Sequence, residues 1–482
     1  MKLNHSQMPL FDKLAELADK KPISFHVPGH KNGEIFLSQA KSYYEGILPI
    51  DMTELSGLDD LHAPKGVIAD AERLAACYFQ ADATFFLVGG STVGNLSMIL
   101  AACSAGDKII VQRNSHKSIM NGLELSGADP ILINPQYDPM VDRYTAPSYE
   151  TVKQAIQEHP DAKAVVLTYP DYFGGTYEIE QMIDTAHQFH IPVFVDEAHG
   201  VHFSLGTPFP TSALELGADI VVQSAHKMAP AMTMASYLHI NSNIMKKDQI
   251  AYYLQMLQSS SPSYPLMASL DIGRSFLATL TKDEIKRIIQ RVNGLKAILE
   301  KGKHWKVLKS DDPLKFTLHV DEGMTGYEVA SYFEKTGVYP ELATHNQVLF
   351  VDGLQGSPSS FTKIEKAIKT INEQLKSEPN HATIDISGTF AEPMKRLDLP
   401  YREMNTLQTK KIPLTHTVGH IAAEAIIPYP PGIPLVAKGE MIELKHIRII
   451  EKLMEQGATI QHRHIEEGIH VFTGVSKGEE HS

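Results

Sequence analysis

The sequence predicts an α/β fold with a mostly parallel seven-stranded sheet, helices on both of its faces, and a smaller α+β domain at the C-terminal end. Between about residues 84 and 240, short apolar runs rich in β-branched and aromatic residues alternate with longer amphipathic stretches. Continuously apolar strands separated by helices are typical of parallel sheets that are covered on both faces. Polar and glycine-rich segments follow several of these strands, at the edge where such sheets bind ligands.

The seven predicted strands are short and almost wholly apolar. In chain order they are TFFLV (84–88), KIIVQ (108–112), PILIN (130–134), AVVLT (164–168), PVFVD (192–196), DIVVQ (219–223) and ASYLHI (235–240). The loops GGSTVGN, RNSHKS, DEAHG and SAHK follow the first, second, fifth and sixth strands. Because the carboxyl ends of parallel strands meet at one edge, we expect these four loops to converge.

The alternation ends at LQSSSPSYPLMASLD (257–271), which is rich in serine and proline. A small α/β unit is predicted beyond it, from FTLHV (316–320), a helix over about 325–336 and QVLFVDG (347–353). We therefore predict four parts: an N-terminal arm and interface segment (1–60), a large domain (61–270), a small α/β domain (271–380) and a C-terminal domain (381–482).

Composition excludes several functional classes. The chain of 482 residues carries 44 basic and 57 acidic side chains, a net charge of −13, and no run of five or six Lys or Arg, which disfavours nucleic-acid and anionic-membrane partners. No signal peptide and no apolar run of membrane-spanning length is present.

Cys77 and Cys103 fall in apolar, helix-like patterns, so we predict two buried free thiols and a cytoplasmic protein. His462 and His464 alternate as on a solvated edge strand, and no metal site is predicted.

The segment FFLVGGSTVGN leads from the first strand into glycines and hydroxyl residues that open a helix. The N–H groups and positive end of such a helix bind anions, which predicts a phosphate site at Gly90, Ser91 and Thr92. The alternative is an ordinary turn capped by Ser91. The segment has neither the GK[ST] of a Walker A loop nor the G-x-G-x-x-G spacing of a dinucleotide-binding turn.

Two further strands end on charged side chains. Lys227 ends the run VVQSAHK, which begins as a predicted buried strand. Removing its amine from water is costly unless the amine is paired with an acid, has a lowered pKa or forms a covalent bond. Asp196 ends VFVD, and the following EAH completes a sequence that also matches a helicase motif, but the phosphate loop of a helicase is missing. An exposed acidic loop is the plainer alternative. A strand-end aspartate, a strand-end lysine and a phosphate turn are together what pyridoxal phosphate requires: Asp196 keeps the pyridine nitrogen protonated, and Lys227 binds the aldehyde.

Two other loop residues are candidates for the same site. His116 in RNSHKS follows the second strand and could stack on the cofactor ring, whereas a surface histidine is the alternative. Ser224 in SAHK is placed to bind the phosphate, and a simple turn residue is the alternative.

Seven blocks point to a known family. They are FHVPGHK, ELSGLDDLHAPKGVI, RNSHKSI, VFVDEAHGVHF, ADIVVQSAHK, LQSSSPSYPLMASLD and AAEAIIPYPPGIPLVAKGE. In this order they resemble the bacterial ornithine/lysine/arginine decarboxylases, which have the aspartate-aminotransferase fold (fold type I), over about residues 22–445. The match is nearest to the short forms, since FHVPGHK begins at residue 25 and leaves no room for the receiver-like N-terminal domain of the long forms.

The resemblance implies a role for each candidate. Lys227 is the lysine that binds pyridoxal phosphate, His226 lies beside the reacting carbon, Asp196 binds the pyridine nitrogen and His116 stacks on the ring. The phosphate is held by Ser91, Thr92 and Ser224, with Gly90 standing where the family often has Thr. His199, where some long members have Trp, could reach the phenolic oxygen. The family also implies a homodimer or larger homo-oligomer in which Ser259, Ser260 or Ser261 reaches the phosphate of the partner subunit.

The implied reaction is decarboxylation of a basic L-amino acid, with arginine preferred and lysine or ornithine next. The distal cation of such a substrate requires acidic or carbonyl groups far from the ring. Candidates are Asp59, Asp60, Glu341 and Glu424, each of which could equally be a structural or solvated acid. Two alternatives remain: another pyridoxal reaction, such as transamination or a lyase step, and a catalytically silent regulatory relative.

Overall fold

The computed structural model describes residues 4–356, 359–375, 384–429, 432–462 and 464–474. The chain forms two compact units. The first comprises residues 1–102 and 179–282, and the second comprises residues 103–178 and 283–482. The four-part domain division expected from the sequence stays a prediction.

The helices and strands follow one another along the chain. The helices are α1 Pro9–Asp19, α2 Ser38–Tyr44, α3 Val67–Phe79, α4 Gly90–Ala102, α5 Lys117–Ser126, α6 Tyr149–Glu158, α7 Ile179–Gln188, α8 Ala225–Met228, α9 Lys247–Leu257, α10 Tyr264–Thr279, α11 Lys282–Leu299, α12 Gly326–Lys335, α13 Ser359–Gln374, α14 Tyr401–Met404 and α15 Leu444–Glu455. The strands are β1 Ala83–Leu87, β2 Lys108–Gln112, β3 Asp129–Ile133, β4 Tyr137–Asp138, β5 Arg143–Tyr144, β6 Val165–Thr168, β7 Val193–Asp196, β8 Ile220–Gln223, β9 Ser236–Ile240, β10 Trp305–Val307, β11 Lys315–Val320, β12 Leu342–Ala343, β13 Gln347–Val351, β14 Met394–Arg396, β15 Thr409–Ile412, β16 Pro428–Tyr429, β17 Thr459–Ile460 and β18 Ile469–Phe472.

In the first unit, four strands pair in the order β1-β9-β8-β7. β7 and β8 are parallel, while β9 runs antiparallel to both β8 and β1. β1, β7 and β8 therefore share one direction. The helix α4 packs close to this sheet at Gly94, where a Cβ atom would lie 2.8 Å from Cγ1 of Val222 and 2.9 Å from Cδ1 of Leu87.

The N-terminal helix of the first unit is held by a buried ion pair on α10. Arg274 and Asp271 are fully buried and contact each other over 2.6 Å. The Asp271 carboxylate accepts the Leu10 N–H at 3.0 Å, and the Arg274 guanidinium donates to the His5 and Gln7 carbonyls. Both charges are thereby paired and hydrogen-bonded, which is the condition under which charges are tolerated in a core.

In the second unit, four strands pair in the order β6-β2-β3-β14. β2 is parallel to both β3 and β6, and the short β14 lies antiparallel to β3. A four-stranded antiparallel sheet, β10-β11-β13-β12, lies farther along the chain. Near the C-terminus α15 contributes Ile447 and Ile450 to an apolar core that also includes Val436 and Val471.

The predicted α/β fold is confirmed. All seven predicted strands form, as β1, β2, β3, β6, β7, β8 and β9, and β14 pairs with β3 in addition. The predicted small unit forms as β11, α12 and β13. Two details were wrong: Cys77 is exposed and only Cys103 is buried, and His462 and His464 lie between β17 and β18 and not on a strand.

Within the described ranges, no helix is both long and apolar enough to cross a membrane. The same residues contain no group of three or more His, Cys, Asp or Glu side chains that could hold a metal ion.

Candidate active site

The strand register brings several candidate residues to one edge of the first unit. Asp196 pairs with Val222, two residues before Ser224, and Leu87 pairs with Ser236. The C-terminal ends of β1, β7 and β8 and the first residue of β9 therefore meet at this edge. This edge carries three of the four loops that were expected to converge, those that contain Gly90, Asp196 and Lys227. The fourth loop, RNSHKS, belongs to the second unit, and its convergence with the others stays a prediction.

Lys227 and His199 are in direct contact. The Lys227 Nζ atom lies 2.9 Å from Nε2 of His199, whose side chain is almost fully buried. Lys227 belongs to the one-turn helix α8, and its backbone N–H donates to the Ser224 carbonyl at 3.2 Å. A neutral imidazole at this distance can accept a proton from the amine, so the pair can hold or move one proton at Nζ.

Asp196 is a buried carboxylate, 3% exposed, at the end of β7. Its Oδ2 accepts a hydrogen bond from Nδ2 of Asn95 at 2.9 Å, and its Oδ1 accepts the Ala198 N–H at 3.1 Å. A buried anion held by two donors is suited to pair with a protonated ring nitrogen.

The predicted phosphate turn begins α4. Gly90 has φ +75°, and no atom lies within 4 Å of the position that its Cβ would take. Its N–H donates to the Met234 carbonyl at 2.9 Å. The Ser91 Oγ atom lies 2.7 Å from Oγ of Ser224 and 3.2 Å from Oγ of Ser236. Hydroxyl groups cluster here at the N-terminus of a 13-residue helix, where backbone N–H groups favour anions; Thr92 is exposed in its first turn.

His226 lies next to Lys227 on α8. Its Nδ1 atom is 3.1 Å from the Ala235 carbonyl oxygen, so Nδ1 carries the hydrogen. The ring is thereby held in one orientation beside Lys227.

The serine-rich segment follows α9 in the same unit. Ser259, Ser260 and Ser261 are exposed, and the Ser259 carbonyl oxygen lies 2.8 Å from Nε2 of His62.

Asp59 has a structural task in the first unit. Its carboxylate accepts N–H groups at the start of α3, from Lys65 at 2.9 Å, Gly66 at 2.7 Å and Ile68 at 3.2 Å. Burial would raise the pKa of Asp59, but these backbone donors outweigh it and hold the pKa below its usual value. Asp60 accepts the His62 N–H at 2.8 Å.

The other three candidates belong to the second unit. His116 caps α5, where its Nδ1 lies 3.2 Å from the Ser118 backbone nitrogen and 2.8 Å from the Ser118 hydroxyl. Glu341 is exposed and accepts a hydrogen bond from the Tyr172 hydroxyl at 3.0 Å.

Glu424 lies between two histidines. Its Oε1 contacts Nε2 of His462 at 3.0 Å and both the backbone N–H, at 2.6 Å, and Nδ1, at 3.2 Å, of His470. Burial would raise the pKa of Glu424, but these donors hold it below its usual value.

The sequence reasoning missed Asn95 and Ser236. Asn95 follows Ser91 by one helical turn, so its position facing the sheet was readable from helix periodicity. Ser236 opens a strand that pairs with β1 and β8, and only the register reveals that its hydroxyl meets that of Ser91.

A buried polar chain beneath the site was also missed. Glu197 accepts hydrogen bonds from the Ala213 N–H at 2.7 Å, the Ser212 hydroxyl at 3.0 Å and Gln223 at 2.6 Å, and Gln223 in turn contacts His239 at 3.0 Å. Burial raises the pKa of Glu197 to about 7, although these three donors lower it. The sequence contains no sign of these hydrogen-bonded side chains beyond a second acidic residue after Asp196.

The fold and this site define an enzyme of the fold type I class that depends on pyridoxal phosphate. Residues 8–317 match the family model described as "Orn/Lys/Arg decarboxylase, major domain", and residues 385–462 match the C-terminal domain of the same family. The chain belongs to the ornithine/lysine/arginine decarboxylase family.

The chain is also similar to individual proteins. The chain is 42% identical to "Uncharacterized protein YaaO" of Bacillus subtilis, with 94% of this chain and 95% of the relative covered. It is 35% identical to an arginine decarboxylase of the same organism, with 95% and 96% covered. Among solved structures, the lysine decarboxylase LdcF of Francisella novicida superposes with a TM-score of 0.78 at 20% identity, covering 96% of this chain and 80% of that one. The last comparison supports the fold.

The residues present fit pyridoxal phosphate. The buried Asp196 carboxylate is matched to a protonated ring nitrogen, Lys227 supplies an amine, and the open turn at Gly90 with its hydroxyl cluster is matched to a phosphate. Each kind of group that the cofactor needs is therefore found in the first unit.

Proposed function

We propose that this protein decarboxylates a basic L-amino acid, with L-arginine preferred over L-lysine and L-ornithine, to give the corresponding amine and carbon dioxide. The observation that carries the proposal is the contact between Lys227 and His199 on the same sheet edge as the buried Asp196. The arginine preference rests on relatives named arginine decarboxylase, which are 33–35% identical over most of the chain. Relatives named for lysine or ornithine are 23–25% identical.

Bound pyridoxal phosphate supplies the sink for the electron pair that remains when carbon dioxide leaves. Asp196, fixed by Asn95, keeps a positive charge on the ring nitrogen by pairing with it. Lys227 holds the cofactor, and His199 takes up or returns the proton of its amine. Lys227 or His226 then delivers a proton to the substrate α-carbon, since His226 is fixed beside Lys227.

The remaining candidates keep the roles that the family resemblance implies. We propose that Gly90, Ser91, Thr92 and Ser224 bind the phosphate and that His116 stacks on the ring. For the distal cation of the substrate we rank Asp60 and Glu341 ahead of Asp59 and Glu424. The Asp59 and Glu424 carboxylates already accept three or more hydrogen bonds each. A carboxylate so engaged gains less from a new cation.

The experiment incubates the cofactor-loaded protein separately with L-arginine, L-lysine and L-ornithine and measures carbon dioxide and amine. We expect agmatine to appear in equal amount to the gas, with the highest kcat/KM for L-arginine. Lys227→Ala is expected to abolish both products, while the exposed Lys296→Ala serves as the matched control. Gas from none of the three substrates, with cofactor bound, would contradict the proposal and direct attention to transamination.

We also propose a cytoplasmic homodimer or larger homo-oligomer in which Ser259, Ser260 or Ser261 completes the partner's phosphate site. Mixing Lys227→Ala chains with chains that carry alanine at all three serines tests this. If the serines act across the interface, the mixture regains activity up to about a quarter of wild type, because one intact site forms in each mixed dimer. No recovery in a mixture shown to exchange subunits would place the serines in their own subunit's site.

A further inference from the structure

The second unit contains a polar cavity of about 300 Å³, and none of the residues that line it has a role in the proposed mechanism. It is bounded by the ends of β2 and β3, by the segment that leads into β14 and by the start of α15. Its volume is at the small end of the range for ligand cavities.

Two buried side chains at this cavity each have one unused polar atom. Arg113 is 2% exposed, and its Nη2 donates to the Leu435 carbonyl at 3.1 Å and to Oε2 of Glu440 at 2.6 Å, whereas Nη1 has no partner among the described residues. Asn134 is 8% exposed, and its Nδ2 donates to the Glu392 carbonyl at 2.6 Å, whereas Oδ1 has no partner in the described part of the chain. An unused donor and an unused acceptor therefore belong to two side chains that line the same cavity, and each is costly to leave unsatisfied.

The charges around the cavity are balanced. Arg113, Lys395 and Lys445 oppose Glu392, Glu440 and Glu443. Nζ of Lys445 lies 3.2 Å from Oε2 of Glu443, and Nη2 of Arg113 lies 2.6 Å from Oε2 of Glu440. His446 also lines the cavity, and burial lowers its pKa to about 4, so it is neutral at pH 7. A balanced lining favours neither a polyphosphate nor a polyamine, and it suits a ligand that carries one charge of each sign.

We infer that this cavity binds a small zwitterion of the α-amino acid type. Its carboxylate accepts from Nη1 of Arg113, and its ammonium group donates to Oδ1 of Asn134.

Calorimetric titration of the cofactor-loaded protein tests the inference with L-norvaline, which has no distal cation. Pentanoate lacks its ammonium group and butylamine lacks its carboxylate. We expect saturable binding of L-norvaline and no binding of pentanoate or butylamine. Asn134→Ala and Arg113→Lys should each weaken the binding of L-norvaline at least about tenfold. The Arg113→Lys variant keeps the positive charge beside Glu440. Asn372→Ala is the matched control, since Nδ2 of Asn372 also donates to a backbone carbonyl, that of Lys301 at 3.0 Å.

Two calorimetric results would overturn the inference: no binding of L-norvaline to the wild type, or equal affinity for the wild type and both variants. A third would be a change in cofactor absorbance that has the same concentration dependence as the binding, since this would place the ligand at the cofactor. Circular dichroism establishes that each variant is folded. The measurement needs no turnover, so its outcome is independent of whether the protein releases carbon dioxide from basic amino acids.

Discussion

Nδ2 of Asn95 donates a hydrogen bond to Oδ2 of Asp196 over 2.9 Å, and both side chains are buried. Asn95 lies on α4, the same helix that begins with the hydroxyl cluster around Ser91. One rigid helix therefore positions the carboxylate and the predicted phosphate turn together. A shift of α4 would disturb both.

Asn95→Ala removes a donor from a buried carboxylate. We expect a loss of about 1–3 kcal/mol in the free energy of unfolding and weaker retention of pyridoxal phosphate. Denaturant unfolding and cofactor titration measure the two effects. Asn372→Ala removes hydrogen bonds in the second unit and should leave cofactor affinity unchanged. Unchanged cofactor affinity in Asn95→Ala would contradict a role for this contact in holding Asp196.

The contact between Lys227 and His199 predicts that the imidazole contributes to proton transfer. His199→Leu removes the acceptor beside Nζ of Lys227, and we expect kcat to fall by roughly 10²–10⁴-fold. His199→Gln keeps a polar side chain and should lose less activity. Steady-state kinetics over pH 6–9 compares the two. Equal loss in both variants, with an unchanged pH profile, would assign His199 a purely steric role.

Gly94 allows α4 to lie against the sheet. In Gly94→Ala the new methyl group meets Val222 and Leu87 side chains at less than 3.0 Å. We expect a net loss of about 1–2 kcal/mol, because overpacking exceeds the gain in helix propensity. Thermal unfolding measures it. Gly46→Ala is the control, since no atom lies within 4 Å of its added carbon; an equal change in both would refute the close-packing argument.

Glu72 makes stability depend on pH. Its carboxyl group is buried and accepts the Phe86 N–H at 2.9 Å, and burial raises its pKa from 4.5 to about 8. A group whose pKa is raised by folding contributes stability that is fully present below pH 4.5 and is lost as the pH rises through about 8.

Glu72→Gln keeps the acceptor but cannot ionise. As the pH rises from 5 to 8, the free energy of unfolding of the wild type should therefore fall relative to that of this variant by up to a few kcal/mol. Denaturant unfolding across this range checks it, with the exposed Glu322→Gln as the matched control. A constant difference between variant and wild type would mean that Glu72 is ionised throughout.

The strands were predictable because each is a short, mostly apolar run, which is the composition that strands buried on both faces favour. The meeting of the loops after β1, β7 and β8 followed from the same argument, since the carboxyl ends of strands that share a direction share an edge. The prediction that Cys77 is buried was wrong because helical periodicity locates the apolar face of a helix only approximately. Cys77 lies at the margin of that face on α3, where the packing partners of the helix decide whether a side chain is buried.

By itself, the sequence determined the α/β pattern, the family, the position of Asp196 at the end of a strand and that of Lys227 just after the next strand. These depend on residue types and on local spacing. Only the tertiary structure decided that His199 meets Lys227, that Asn95 holds Asp196 and that Ser236 joins Ser91. The same is true of Arg113 and Asn134, each with one unused polar atom, which line one cavity. Such pairings depend on register and helix packing between distant segments, and the pattern of residues within one segment does not contain that information.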